Sequence, residues 1–295
     1  MSSTKRTILI QLDTDPQPSV FDGVVAVDSG VDFLLRHSGV TIANVRDLVY
    51  GALFTRGVDD LNRTAIFIGG SDVAAGEAVL AAVKKTFFHT FRVSVLFDAN
   101  GSNTTAAAAV LAALEGMGGE LKGVHTAVLA ATGPVGQRVA RLLSKLGATV
   151  AVGSRSLERA EDLARSLQEA QGGMFVPFST SDAAETTKGL NGVAVVISAG
   201  ASGVTLLHAS GRSALKGLKV AIDLNAVPPF GIEGVKATDK GTVLDGLRVW
   251  GAFGVGGTKM KIHKRAIQDL FKTNDKILDA EEVLAIGRAL TSLNA

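Results

Sequence analysis

The sequence predicts an α/β fold in two domains, one of them built on a doubly wound, Rossmann-type parallel sheet. Three observations predict it. Residues 124–136, V-H-T-A-V-L-A-A-T-G-P-V-G, pass from an apolar strand through a small-residue turn into a helical pattern, the layout of a dinucleotide-binding βα unit. Short apolar runs recur along the chain, each ending in small or turn residues and most leading into a helical pattern, as βαβ units require. At 295 residues, 46% hydrophobic and with 34 glycines, the chain can fill two cores and turn tightly many times.

Composition removes several classes. Cysteine is absent, which excludes disulfides, thiol nucleophiles and Cys-ligated metal. A net charge of +2, one Trp and one Tyr argue against nucleic acid as a partner. No apolar run has transmembrane length, and residues 1–6 are polar with no signal pattern after them. A cytoplasmic protein with no membrane partner is expected.

In the first half, residues 7–12 read as a strand ending in Asp13-Thr14-Asp15-Pro16, and Ser19 caps a helix that carries Phe21 and Asp22. Residues past strand ends line the crevice of an open α/β sheet, which makes Asp13, Asp15 and Asp22 site candidates; turn and helix capping is the competing role. Thr41 caps the next helix, residues 63–70 form a strand ending in paired glycines, and Ser71-Asp72 caps a helix to Lys85. Residues 91–97 form a third strand. Asp98-Ala99-Asn100-Gly101-Ser102-Asn103-Thr104-Thr105 follows, before an alanine-rich helix over 106–115. An N-cap needs one polar residue; this loop supplies six, which suits it to holding a flat polar heterocycle or to bridging cofactor and substrate, with an Asx-rich turn as the competing role.

Residues 116–123 are the expected linker, dividing 1–118 from a nucleotide domain over 119–257, with C-terminal helices over 258–295 returning to the first domain. In the turn Thr132-Gly133-Pro134-Val135-Gly136, Gly133 lets backbone approach a pyrophosphate and Gly136 lets helix sit against strand; Ala131 stands at the first fingerprint glycine. Exposed N–H groups at the helix start favour a phosphate. The second strand, 148–152, ends at Gly153-Ser154-Arg155-Ser156 with no acidic residue. An acid there takes a ribose 2′-hydroxyl, whereas Arg155 with Ser154 beside it suits a 2′-phosphate, so NADP is the expected cofactor. Further strands at 174–177, 192–198, 219–224 and 248–253 end in small or turn residues, among them Ala199, Gly200 and Asn225. Lys259 follows a Gly254-Val255-Gly256-Gly257 hinge, and Asp279 with Glu282 starts a last helix. His37, His89, His125, His208 and His263 are scattered at no metal-binding spacing, so no metal is expected. A dinucleotide fold without a proton relay suits hydride transfer.

Q-L-D-T-D-P-Q-P-S-V-F-D (11–22), T-A-I-F-I-G-G (64–70), D-A-N-G-S-N-T-T (98–105), T-G-P-V-G (132–136), D-L-N-A-V-P-P-F-G-I (223–232) and G-V-G-G-T-K (254–259) resemble the NAD(P)-dependent methylene-tetrahydromethanopterin dehydrogenases of methylotrophic bacteria. The resemblance runs nearly end to end and is closer to the NADP-specific form, which also accepts methylene-tetrahydrofolate. It implies two α/β domains with a cleft between them and hydride transfer from a pterin one-carbon carrier to NADP. It puts Asp13, Asp15, Phe21, Asn100, Ser102 and Asn103 on the substrate side, and Lys259, Asp22 and Asn100 at the reacting centre. It implies a homo-oligomer, a trimer. A ketone reductase of the shikimate-dehydrogenase type and a non-enzymatic NADP sensor share the architecture and stay open at this stage.

Overall fold

The computed structural model describes residues 5–291. In chain order its strands and helices are β1 (Ile8–Asp13), α1 (Val20–Asp28), β2 (Phe33–His37), α2 (Val45–Phe54), β3 (Thr64–Gly69), α3 (Val73–Thr86), β4 (Ser94–Phe97), α4 (Ser102–Gly116), β5 (His125–Leu129), α5 (Pro134–Lys145), β6 (Thr149–Ser154) and α6 (Leu157–Gln171). They continue as β7 (Phe175–Ser179), α7 (Ala183–Gly189), β8 (Val195–Ser198), α8 (Ala209–Ala214), β9 (Val220–Asp223), β10 (Lys240–Leu244), β11 (Leu247–Trp250), α9 (Ala252–Leu270), β12 (Ile277–Leu278) and α10 (Ala280–Thr291). The chain divides into two compact units, Met1–Thr104 with Met260–Ile286, and Thr105–Lys259 with the residues from Gly287.

The first unit holds a parallel sheet in the order β12-β4-β3-β1-β2. Its central strand β3, T-A-I-F-I-G, is buried at all six positions, the continuous run that a sheet covered on both faces needs. Leu12, Val49, Leu53, Ile66, Ile68, Val83, Val95 and Phe97 form the core on one side, each such side chain contributing roughly 1.5–3 kcal/mol by leaving water. Asp13 pairs with Gly69, and Ile68 with Phe97. Three strands therefore end in step, and the loops after them share one edge.

The second unit holds a sheet in the order β10-β11-β9-β8-β5-β6-β7, parallel except for the antiparallel pair β10–β11 at one edge. From β5 the chain winds outward through β6 and β7, then returns to β8 and winds the other way. The strand order reverses between β5 and β8, where ligands bind in open α/β sheets. Helix α5 buries Val139, Leu142 and Leu143 completely, the spacing of one helical face.

Several elements depart from the sequence reading. Strand β2 was not foreseen because F-L-L-R-H lacks a clean alternation; it is an edge strand with Phe33 and Leu35 exposed. Helix α2 starts at Val45 rather than Thr41, since the Asn44 side chain accepts from Thr41 N and closes a turn first. Strand β4 starts at Ser94 because Phe91 pairs back with Phe88 in a short hairpin. Helix α4 starts at Ser102, so half of the expected polar loop is helix. Residues 254–257 are no hinge: α9 begins at Ala252 and runs through them. A Cβ at Gly254 would strike the Asp239 carbonyl, so that glycine allows close packing of helix on backbone. Strand β12, parallel to β4, and the edge strand β10 were also unforeseen.

Candidate active site

In the second unit the turn between β5 and α5 is fixed by its own backbone. Ala130, at φ 55°, carries the left-handed residue, an arrangement that costs a non-glycine residue roughly 1–2 kcal/mol. The strain thus falls one residue before the position assigned from sequence, and Ala131 is fully buried. Gly136 has no room for a side chain: a Cβ would lie 2.6 Å from the Ala130 carbonyl oxygen and 2.8 Å from Ala131 Cα. At Gly133 φ is −77° and the nearest atom to a Cβ would be 3.5 Å away. Gly133 is therefore not needed to hold the fold, and its open side is where a bound group can approach. No side chain caps α5, and Pro134 occupies its first turn. The N–H groups of that turn, including those of Val135 and Gly136, have no intrahelical acceptor and offer an anion site. Thr132 adds its carbonyl to the turn by accepting from Gln137 Nε2 at 2.8 Å.

At the end of β6, Ser154 is buried and Arg155 exposed. Ser156 caps α6, its hydroxyl accepting from Arg159 N. After β8, Ala199 N donates to the Leu129 carbonyl at 3.1 Å, which joins the two strands at the reversal point. A Cβ at Gly200 would lie 2.6 Å from Leu206. Asn225 is buried; its Nδ2 donates to Pro229 O at 3.0 Å and its Oδ1 accepts from Val227 N at 2.9 Å. Thr132, Gly133, Ser154, Arg155, Ala199, Gly200 and Asn225 thus lie at the carboxyl ends of β5, β6, β8 and β9 or in the turns after them, and Pro134, Val135 and Gly136 form the first turn of α5.

At the corresponding edge of the first unit, the structure sorts the polar residues into two kinds. Asp13 is fully buried and accepts from Gln11 Nε2 at 3.2 Å and from Asp15 N and Ser19 N at 3.0 Å each. Asp15 binds across to the next loop, accepting from Ser71 N at 2.9 Å and Ser71 Oγ at 2.8 Å. Ser102 donates to Ala99 O at 2.8 Å, and Asn103 Nδ2 donates to Phe97 O at 2.6 Å and to Asp279 Oδ1 at 2.9 Å. Ser102 and Asn103 are fully buried. In the structure these groups of Asp13, Ser102 and Asn103 hold the loops in place.

The residues presented outward are others. Asn100 is exposed, held at φ 53° with its N–H donating to Gly70 O at 2.7 Å; asparagine tolerates that backbone region well. Asp22, half-buried in the first turn of α1, lies 3.6 Å from where a Cβ of Gly69 would stand, and Asp13 lies 3.3 Å from it. Two carboxylates therefore converge on the end of β3. Phe21 is half exposed, its ring 6.4 Å from the buried His263 ring, which stacks on Phe67 at 5.7 Å.

Sequence reasoning passed over Asp98, Thr14 and Asp223. Asp98 is fully buried and organises the loop, accepting from Asn103 N at 2.9 Å, Thr104 N at 3.0 Å and Thr104 Oγ1 at 2.7 Å. Its position just past a buried strand and five residues before Asn103 was the available signal. Thr14 Oγ1 is buried without a hydrogen-bond partner among the described residues, against Gly70, whose φ of +112° and lack of a side chain the contact requires. Lys259 lies half-buried within α9. No group of three or more His, Cys, Asp or Glu among the described residues could hold a metal ion, and no helix of these residues is long and apolar enough to cross a membrane.

Comparison with known proteins adds to this geometry. The family model described as methylene-tetrahydromethanopterin dehydrogenase, N-terminal, matches residues 20–100. Bifunctional protein MdtA of Methylorubrum extorquens is 43% identical over 285 residues, covering 97% of this chain and 99% of that protein. The NAD(P)-dependent methylenetetrahydromethanopterin dehydrogenase of the same organism is 31% identical over 295 residues, with 95% of each chain covered. Among solved structures, quinate dehydrogenase from Corynebacterium glutamicum, in complex with NAD, aligns over 98% of this chain and 100% of its own, at TM-score 0.54 and 15% identity. That last likeness is one of fold.

Proposed function

The chain belongs to the methylene-tetrahydromethanopterin dehydrogenase family, and we propose that it oxidises methylene-tetrahydromethanopterin, and methylene-tetrahydrofolate as well, with NADP as hydride acceptor. The observation that carries this reading is the open space at Gly133 beside the uncapped start of α5, a cradle that a pyrophosphate fits and a side chain would fill. NADP held there would supply the hydride acceptor for the pterin's methylene carbon, whose oxidation gives the methenyl form. Arg155 and Ser154 hold the 2′-phosphate; Thr132 to Gly136 hold the pyrophosphate; Ala199, Gly200 and Asn225 shape the edge beyond the reversal point.

The pterin lies at the carboxyl edge of the first unit's sheet. Phe21 packs against its ring system, Asn100 hydrogen-bonds its polar edge, and Asp22 presents a carboxylate to it; Asp15, bonded to Ser71, ties two of the loops together. The methenyl product is a delocalised cation, so no side chain has to remove a proton. What accelerates the step is alignment and a preorganised negative field, which the fixed carboxylate of Asp22 provides. Lys259 orients the substrate. Asp13, Ser102 and Asn103 hold the loops that carry these groups.

Steady-state oxidation of both pterins with NADP and with NAD tests the assignment. Wild type turns over with NADP. Arg155→Ala removes a charge-assisted hydrogen bond worth about 1.5–3 kcal/mol, so kcat/KM for NADP falls by roughly one to two orders of magnitude while activity with NAD is unchanged. Binding of NADP without turnover of either pterin would overturn the reaction and favour the sensor reading.

The protein works in the cytoplasm as a homo-oligomer, a trimer. Supporting this, Val20, Val24 and Val27 along one side of α1 are 55–72% exposed. They leave an apolar helix face open to solvent. Nearby charges are already engaged: Arg36 with Pro18 O and Ser19 O, and Asp28 with Lys264. An apolar face without free charge suits a second copy of itself better than a polar partner. Light scattering on Val24→Lys/Val27→Lys should give a single-chain mass where wild type gives a multiple; an unchanged mass would place the interface elsewhere.

A further inference from the structure

Apart from the turn before α5, the second unit holds a polar cluster built around Asp223. This residue ends β9 and is 1% exposed. Its Oδ1 accepts from Asn225 N at 3.1 Å and its Oδ2 from Ile232 N at 2.9 Å. One carboxylate thus clamps both ends of the segment 225–232. Gly231 N–H points at it as well, and the fully buried Ser198, its register partner at the end of β8, sits beside it. Gly231 has no space for a Cβ, which would strike Ser198 Oγ and come within 2.7 Å of Asp223 Oδ1. Burial pushes the Asp223 carboxyl above its ordinary pKa, against the pull of these donors.

The far side of the segment is tied down too. Leu206 N and Leu207 N both donate to the Gly231 carbonyl, at 2.8 and 3.0 Å, and Thr205 Oγ1 donates to Phe230 O at 3.0 Å. Within the segment, the Asn225 side chain spans Val227 N and Pro229 O. The result is a loop with its backbone fixed at both ends and in the middle, standing over the carboxyl ends of β8 and β9.

Its place relative to the phosphate turn gives the loop a use. The reversal point lies between β5 and β8, and Arg155 stands on the β6 side of it. A dinucleotide with its 2′-phosphate at Arg155 and its pyrophosphate at the start of α5 has only one direction left for its other half, across β8 toward β9. On the proposed cofactor reading, we infer that Asp223 is a positioning residue for the nicotinamide half of NADP, acting through the loop 225–232. It touches no reacting atom. Its carboxylate sets the orientation of Asn225 and the path from Val227 to Phe230, which form the surface under the hydride-accepting ring.

The test compares two ligands that share everything except the nicotinamide ring: NADP and 2′-phospho-ADP-ribose, each titrated calorimetrically into wild type and Asp223→Asn. The amide places a donor against a backbone donor at one end of the loop. The NADP Kd should rise at least tenfold, while that of 2′-phospho-ADP-ribose changes less than twofold. Should Asp223→Asn fail to fold, Ser198→Ala, which leaves the backbone donors in place, is read the same way, with an expected rise of about threefold for NADP alone. Equal weakening of both ligands, or of neither, would overturn the inference. Failure of wild type to bind NADP at all would overturn the cofactor reading beneath it.

Discussion

Alanine at Gly136 is expected to destabilise the fold, while alanine at Gly133 leaves the fold intact and removes the cofactor. The two glycines are three residues apart, and the sequence already assigns them different tasks, one toward a pyrophosphate and one toward close helix packing. At Gly136 the added methyl meets backbone, the Ala130 carbonyl oxygen at 2.6 Å and Ala131 Cα at 2.8 Å, and backbone cannot step aside as a flexible side chain can. Overpacking of this kind costs about 3 kcal/mol at the upper end of its usual range, or ~6–12 °C in Tm for a domain of this size. At Gly133 the methyl has ordinary contact distance and a φ open to any residue. Alanine there shifts stability by less than about 1 kcal/mol, in the favourable direction if the unfolded chain dominates. It also occupies the space a pyrophosphate needs, so NADP affinity falls at least tenfold. Thermal melts of both variants with and without NADP check the pair. A Gly133→Ala protein that still gains Tm with NADP as wild type does would show that the cradle is not the phosphate site.

Asp98→Ala should have the largest effect in the first unit. The carboxylate accepts from Asn103 N, Thr104 N and Thr104 Oγ1, all at fully buried residues. Removing it leaves donors with no water to replace their acceptor, at about 1–3 kcal/mol each. A total near 5 kcal/mol is a large share of the roughly 5–15 kcal/mol that holds a protein together. Because the same groups start α4, the loop carrying Asn100 loses its anchor, and turnover of the pterin should fall more than a hundredfold. NADP binding should be retained, since Asp98 lies in the unit that does not contain the α5 turn. Chemical denaturation and NADP titration of the one variant separate these effects. Loss of less than about 1 kcal/mol would mean the loop is held by other contacts.

The sequence made the strand–turn–helix at 125–145 legible because three signals agreed there: an apolar strand, a glycine turn and a helical face. The polar stretch after β4 was legible as unusual but not in its division of labour. Composition counts hydrogen-bonding groups; it does not say which of them face inward. Asn100 and Ser102 read alike on paper, yet one is exposed and the other fully buried, because helix α4 starts between them and turns Ser102 into the core. The same limit hid Asp223, whose role depends on residues 225 and 232 returning to it. Strand β12 was invisible for a different reason: two residues, Ile277 and Leu278, carry no periodicity to detect. The misplaced hinge before Lys259 came from reading glycine as flexibility where the structure uses its small size.

That two-residue strand bears on how the protein is made. β12 completes the edge of the first sheet on β4, and His263 fills the space against Phe67, so the first unit borrows parts synthesised about 160 or more residues after β4. A nascent chain that has emitted residues 5–104 has a sheet with β4 still unpaired on one side and Phe67 uncovered. The second unit, from Thr105 to Lys259, is nearly complete before those parts exist. Vectorial synthesis therefore favours assembly of the later unit first, the reverse of the usual N-to-C order. Until the segment around β12 arrives, the open edge of β4 is an unpaired strand edge, the feature by which a chain pairs with the wrong partner.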